Sequence, residues 1–133
     1  MPATDHALRL AEVAAVAAAD KLARDVVAID VSERLPLTDC FVIASAPNER
    51  QVQAVVDGIE ERLRALEAKP VRREGTQEAR WVLLDFGEIV VHVLHSDERE
   101  FYGLERLWKD CPAVPLPADM YGPAEVSAPG VPD

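Results

Sequence analysis

The chain has 133 residues, 49% of them hydrophobic and 29% charged, enough for one domain with one core and too few for two. No apolar run approaches the roughly 18 residues that a membrane-spanning helix requires. The formal net charge of -10 speaks against direct readout of nucleic acid, which needs a Lys- and Arg-rich face, and suits a basic protein partner.

The first residues, Met1-Pro-Ala-Thr-Asp-His6, lack the basic start and apolar stretch of a signal peptide, so a cytoplasmic location is expected. Thr4 or Asp5 can cap an alanine-rich helix over residues 5–24, with Leu8, Ala11, Ala15, Ala18 and Leu22 on one stripe. Two β-branched stretches follow, residues 26–31 and 40–44. Both are apolar at successive positions, as buried strands are. A second helix starts after Pro47, where Asn48 is the cap and Gln51 stands at the capping-box position. Val52, Val55, Ile59, Leu63 and Leu66 line one face of it. A short strand at residues 71–74 leads through a Gly75-Thr-Gln loop to two strong strands, 81–86 and 89–94, joined by Gly87-Glu88 at hairpin-loop length. A last helical segment spans about residues 97–109, with a break near Gly103. This order predicts an α/β fold, a mixed β-sheet covered by helices, over residues 1–110. Residues 111–133 hold six of the ten prolines and no Lys or Arg, which predicts a flexible, proline-rich C-terminal tail.

Side chains alternate along strands, so the hairpin sorts its residues into two faces. Val82, Leu84, Phe86, Ile89, Val91 and Val93 form a wholly apolar face that must meet helices. Trp81, Leu83, Asp85, Val90, His92 and Leu94 form a mixed face. It has two readings: polar groups satisfied at a sheet margin, or a recognition patch anchored by a tryptophan.

Motifs for catalysis are missing. His92 and His95 are three apart in a strand, so their rings point to opposite faces and cannot share a metal. There is no His-Glu-x-x-His, no glycine-rich phosphate loop and no Gly-x-Ser-x-Gly. Asp39 opens a strand, but Phe41 stands where a two-metal site would want a second carboxylate. Cys40 and Cys111 lie far apart and match neither a disulfide framework nor a zinc site, so reduced thiols are expected.

The run Trp81-Val-Leu-Leu-Asp-Phe-Gly-Glu-Ile-Val-Val-His92, with Arg99-Glu-Phe-Tyr102 and Leu104-Glu-Arg-Leu-Trp108, resembles the Iojap family. The bacterial members of that family are the ribosomal silencing factor S proteins. Thr38-Asp-Cys-Phe41, the helix start at Arg50 and Glu74-Gly75 fit the same pattern, so the resemblance spans roughly residues 5–110. It implies a nucleotidyltransferase-like fold without catalytic residues, no cofactor and no metal. It also implies a translational repressor for times of nutrient limitation or stationary phase. Such a factor binds ribosomal protein L-fourteen on the large ribosomal subunit and blocks joining of the small subunit, and it can form a homodimer. The contact residues it implies are Trp81, Asp85 and Phe86, with His92 and Tyr102 matching the signature either as contacts or as residues that hold the sheet and last helix together. Phe86 would face away from Trp81, so both could touch one partner only if the surface wrapped the hairpin tip. Two alternatives stand beside this reading: a metal-dependent nucleotidyltransferase-like enzyme using Asp39 or Asp85, and a dimeric acidic adaptor for another basic protein.

Overall fold

In a computed structural model, which describes residues 2–120, the chain forms a five-stranded mixed sheet with helices on both faces. Helix α1 (Asp5–Asp20) starts at Thr4, whose hydroxyl oxygen accepts the Ala7 amide at 3.1 Å. Its buried stripe is almost all alanine, from Ala7 through Ala11, Ala14 and Ala15 to Ala18. Such small side chains let α1 lie close to helix α2 (Glu49–Ala65) and to the sheet.

Both helices end alike, and earlier than their apolar periodicity predicts. The Ala23 amide donates to Ala18 and that of Leu22 to Ala19, with Leu22 at φ 65°. The Ala68 amide donates to Leu63 and that of Glu67 to Arg64, with Glu67 at φ 64°. These are Schellman turns with a non-glycine residue in the left-handed position. They move Leu22 off the expected stripe, leaving it 70% exposed, and take Leu66 off the buried face of α2. At the other end of α2 the Asn48 side chain accepts the Gln51 amide at 2.8 Å. The Gln51 side chain does not complete a reciprocal capping box; it donates to the Lys21 carbonyl at 3.4 Å.

The strands are β1 (Arg24–Asp30), β2 (Cys40–Ala46), β3 (Arg72–Glu74), β4 (Trp81–Asp85) and β5 (Ile89–His95), and their order across the sheet is β1-β2-β5-β4-β3. β2 and β5 run parallel, and every other neighbouring pair is antiparallel. The parallel pair needs a crossover connection, in which α2 carries the chain to the far edge strand β3 and the antiparallel run β3-β4-β5 returns it beside β2. On the face under α1 and α2, Val42, Leu84, Ile89, Val91, Ile59 and Leu63 are fully buried. Each such side chain contributes about 1.5–3 kcal/mol of hydrophobic stabilisation.

The opposite face carries a smaller core of Ile29, Val31, Ile43, Leu94 and Leu104. It is covered only in part, by helices α3 (Ser96–Tyr102) and α4 (Leu104–Leu107). Gly103, between them, adopts φ 56°. The break expected near that glycine is therefore a left-handed helix cap.

Residues 111–120, assigned by composition to the tail, lie against the domain. The Asp30 amide donates to the Pro112 carbonyl and the Val114 amide to the Ala28 carbonyl, each at 2.9 Å, with a bridge between Ile29 and Ala113. Val114 is buried, and Leu116 and Met120 pack on the main core. A proline cannot donate to a ladder, but it can accept from one, so Pro112 still pairs with the outer edge of β1. The remaining residues of the expected tail, 121–133, lie outside the described residues.

Candidate docking face

The β4–β5 hairpin turns through Gly87-Glu88. Gly87 has φ 87°, the left-handed value that a II′-type turn places at its first central residue. Asp85 holds this turn, because its carboxylate accepts the Gly87 amide at 2.8 Å while Arg72 approaches the other oxygen at 3.9 Å. The register pairs Trp81 with Leu94, Leu83 with His92 and Asp85 with Val90. All six residues of the mixed face thus stand together on the side away from α1 and α2.

A line of rings crosses that face. Phe101 meets Tyr102 edge-on at 5.0 Å, and Tyr102 lies 4.9 Å from Trp81. The Trp81 indole N–H donates to His92 Nδ1 at 3.2 Å. His92 meets Phe41 edge-on at 4.9 Å, and Phe41 meets Trp108 at 5.0 Å. Of the Phe, Trp and Tyr side chains among the described residues, all but Phe86 belong to this line. Exposure rises along it from His92, at 8%, to Tyr102 at 48% and Phe101 at 77%. Beside Trp81 a cavity of about 390 Å³ opens between Glu74, Gly75 and Leu83.

His92 sets the chemistry at the buried end of the line. Its Nδ1 accepts a hydrogen bond, so the neutral ring carries its proton on Nε2. Burial disfavours the imidazolium and pushes the pKa down to about 4. At neutral pH the ring is an uncharged acceptor that fixes the Trp81 indole, and it is not poised for proton transfer. At the exposed end α3 is held by three contacts. His95 Nδ1 accepts the Asp97 amide at 3.1 Å, the Ser96 hydroxyl donates to the Ala46 carbonyl at 3.1 Å, and Arg80 pairs with both Glu98 and Glu49.

Of the residues nominated from sequence, Trp81, His92 and Tyr102 are brought together. Asp85 shares their face but stands at the far end of the hairpin, engaged with the turn. Phe86 is on the opposite face, buried in the core under the helices. Phe41, Phe101 and Trp108 were not nominated. For Phe41 the signal was register, because β2 places it beside Val90 and so on the same face as His92. For Phe101 it was adjacency to Tyr102 in a segment already singled out.

The carboxylates considered for metal chemistry are occupied elsewhere. Asp39 accepts the Thr4 amide at 2.9 Å and so anchors the start of α1. Among the described residues no group of three or more His, Cys, Asp or Glu side chains could hold a metal ion.

Among the described residues, then, a half-covered sheet face carries a line of aromatic rings. A family sequence model described as "Ribosomal silencing factor during starvation" matches residues 4–129. The chain belongs to the RsfS family. It is 40% identical over 109 residues to the ribosomal silencing factor RsfS of Bacillus subtilis strain 168, an alignment covering 82% of this chain and 92% of that protein. It is also 30% identical to the chloroplastic protein Iojap of Zea mays, covering 79% of this chain and 46% of the relative. A Mus musculus protein named for mitochondrial assembly of the ribosomal large subunit is 35% identical, covering 65% of this chain and 39% of that protein. A crystal structure from Bacillus halodurans superposes with a TM-score of 0.71 at 39% identity, covering 85% of this chain and all of that one. The name that the family model and the Bacillus subtilis relative carry, a silencing factor, is that of a regulatory factor rather than an enzyme. No helix among the described residues is long and apolar enough to cross a membrane.

Proposed function

We propose that this RsfS-family chain represses translation in the cytoplasm by docking, through the aromatic face, on ribosomal protein L-fourteen of the large ribosomal subunit. The bound factor then keeps the small subunit from joining by bulk alone. The supporting observation is the pair of exposed rings, Phe101 edge-on to Tyr102 and Tyr102 tilted against a Trp81 that His92 holds in place. Aromatic side chains on rigid supports lose little entropy on binding and are favoured interface anchors. The name of the Mus musculus relative supports the large subunit as the partner. The charge of -10 supports a basic protein as the surface met, with an approach that salt would weaken.

Co-sedimentation with purified large subunits and with assembled ribosomes tests the reading. The wild type is expected to pellet with free subunits in preference to assembled ribosomes. Phe101→Ala, at a site 77% exposed, leaves the fold intact and weakens binding by about 2 kcal/mol, or roughly thirtyfold. Failure of the wild type to sediment with subunits sinks the proposal, and unchanged binding of both Phe101→Ala and Trp81→Ala removes this face from it. Self-association as a homodimer would cover the same two rings in the absence of subunits. Sedimentation velocity over a range of concentrations tests that extension, and a monomer throughout excludes it.

A further inference from the structure

A second site lies at the end of the sheet where β1, β2 and α3 meet. An open cleft of about 500 Å³ is walled there by Arg24, Arg99 and Arg106. Its size is that of a small-molecule site. Three arginines, Arg99 buried among them, against the carboxylates of Asp25 and Glu100 leave this wall one positive charge in excess, in a chain of net charge -10.

The backbone is bent to bring two of them in. β1 has an irregularity between Arg24 and Val27, with Asp25 at φ 52°. Bulges of this kind re-aim side chains and cluster next to binding sites. Gly103 has φ 56°, and a Cβ there would stand 2.7 Å from Arg106 Nε. The lack of a side chain at Gly103 thus lets the Arg106 guanidinium fold over the turn that borders the cleft. Among the described residues no ion pair within 4.0 Å joins Arg24 or Arg106 to a carboxylate.

The remaining walls define the rest of the ligand. The Ser45 and Ser96 hydroxyls already donate to the carbonyls of Arg24 and Ala46. What they present to the cleft is acceptor capacity. Asp25 and Glu100, also on the wall, are acceptors as well. Among the described residues no aromatic ring lines the cleft, so they offer no platform for a nucleobase. Guanidinium forks match phosphate oxygens two at a time, and acceptors match hydroxyl groups. We infer that this cleft binds a small phosphorylated sugar or polyol, with the phosphate among the arginines and the hydroxyls on Ser45, Ser96, Asp25 and Glu100.

The test is a titration of the full chain, followed by amide NMR shifts, with ribose 5-phosphate, inorganic phosphate and ribose at matched ionic strength. Ribose 5-phosphate is expected to give saturable shifts centred on Ser45, Ser96, Arg99 and Gly103, and to bind more tightly than either fragment. Arg24→Gln and Arg106→Gln, both at exposed positions, each weaken it by about tenfold without changing the melting temperature. Absence of saturable shifts overturns the inference, as does equal affinity in the double variant or binding no tighter than that of ribose. Tighter binding of a single-stranded oligonucleotide than of ribose 5-phosphate overturns it too, because the site would then be reading a polymer backbone. None of these readouts involves the ribosome, so the cleft can fail while the docking face stands.

Discussion

Acidification should destabilise this protein through His92, by an amount the structure sets. The ring is buried and accepts from Trp81, and its pKa falls from 6.5 to about 4 on folding. At about 1.4 kcal/mol per pH unit this corresponds to about 3 kcal/mol. The unfolded chain binds the proton first, so stability from this group is complete above pH 6.5 and is lost as the pH falls towards 4. Carboxylates titrate in part of the same window, so the comparison must be with a variant. Urea unfolding of wild type and His92→Phe at a series of pH values between ~7 and ~4 isolates the imidazole as the difference between two curves. The wild type is expected to lose about 3 kcal/mol more than the variant across that range. Parallel curves, or an NMR titration placing the His92 pKa near its ordinary value, would refute the reasoning and remove the buried acceptor from the account of Trp81.

Leu22→Gly replaces an exposed side chain held at φ 65° and should raise stability by about 1 kcal/mol, read as a higher melting temperature. Gly75→Ala should cost at least ~2 kcal/mol, because φ is 77° and a Cβ would strike the Trp81 carbonyl oxygen; a melting temperature equal to wild type contradicts this. Val114→Asp places a carboxylate at a site 8% exposed and should destabilise by about 2–3 kcal/mol. If residues 111–120 contributed nothing to the domain, that variant would unfold like the wild type.

The elements were legible because each rests on a local signal. Asn48 caps α2, Gly87 turns the hairpin, and the period-two apolar pattern from Trp81 to Leu94 fixes both faces without knowledge of the partner strands. Helix ends were less legible. Leu22 fits the apolar period of α1, yet a Schellman turn swings it into solvent, and nothing in the residue type announces a left-handed leucine. The segment around Val114 was misleading for a related reason. Its prolines suggest disorder, but only one amide donor and one carbonyl acceptor are needed to pair it with β1, and Val114 provides the apolar weight. The arginine cleft was not legible as a site: Arg99 and Arg106 stand seven residues apart in segments already singled out, but only the fold brings the distant Arg24 to them.

The site was half legible, and its geometry separates residues that hold from residues that can touch. Register alone placed Trp81 and His92 on one face, but it could not show that the indole N–H is spent on the imidazole. Once it is, Trp81 has its ring to offer the proposed partner and not its donor. Asp85 spends its carboxylate on the Gly87 amide and Phe86 spends its ring on the core, so both serve the shape of the hairpin. The rings left in solvent are Tyr102 and Phe101. They stand at the end of a seven-residue helix fixed by His95, Ser96 and Glu98. A short helix pinned at its start and closed by a left-handed glycine has little freedom to lose on binding. A docking face built this way depends on backbone order at α3 as much as on the rings themselves.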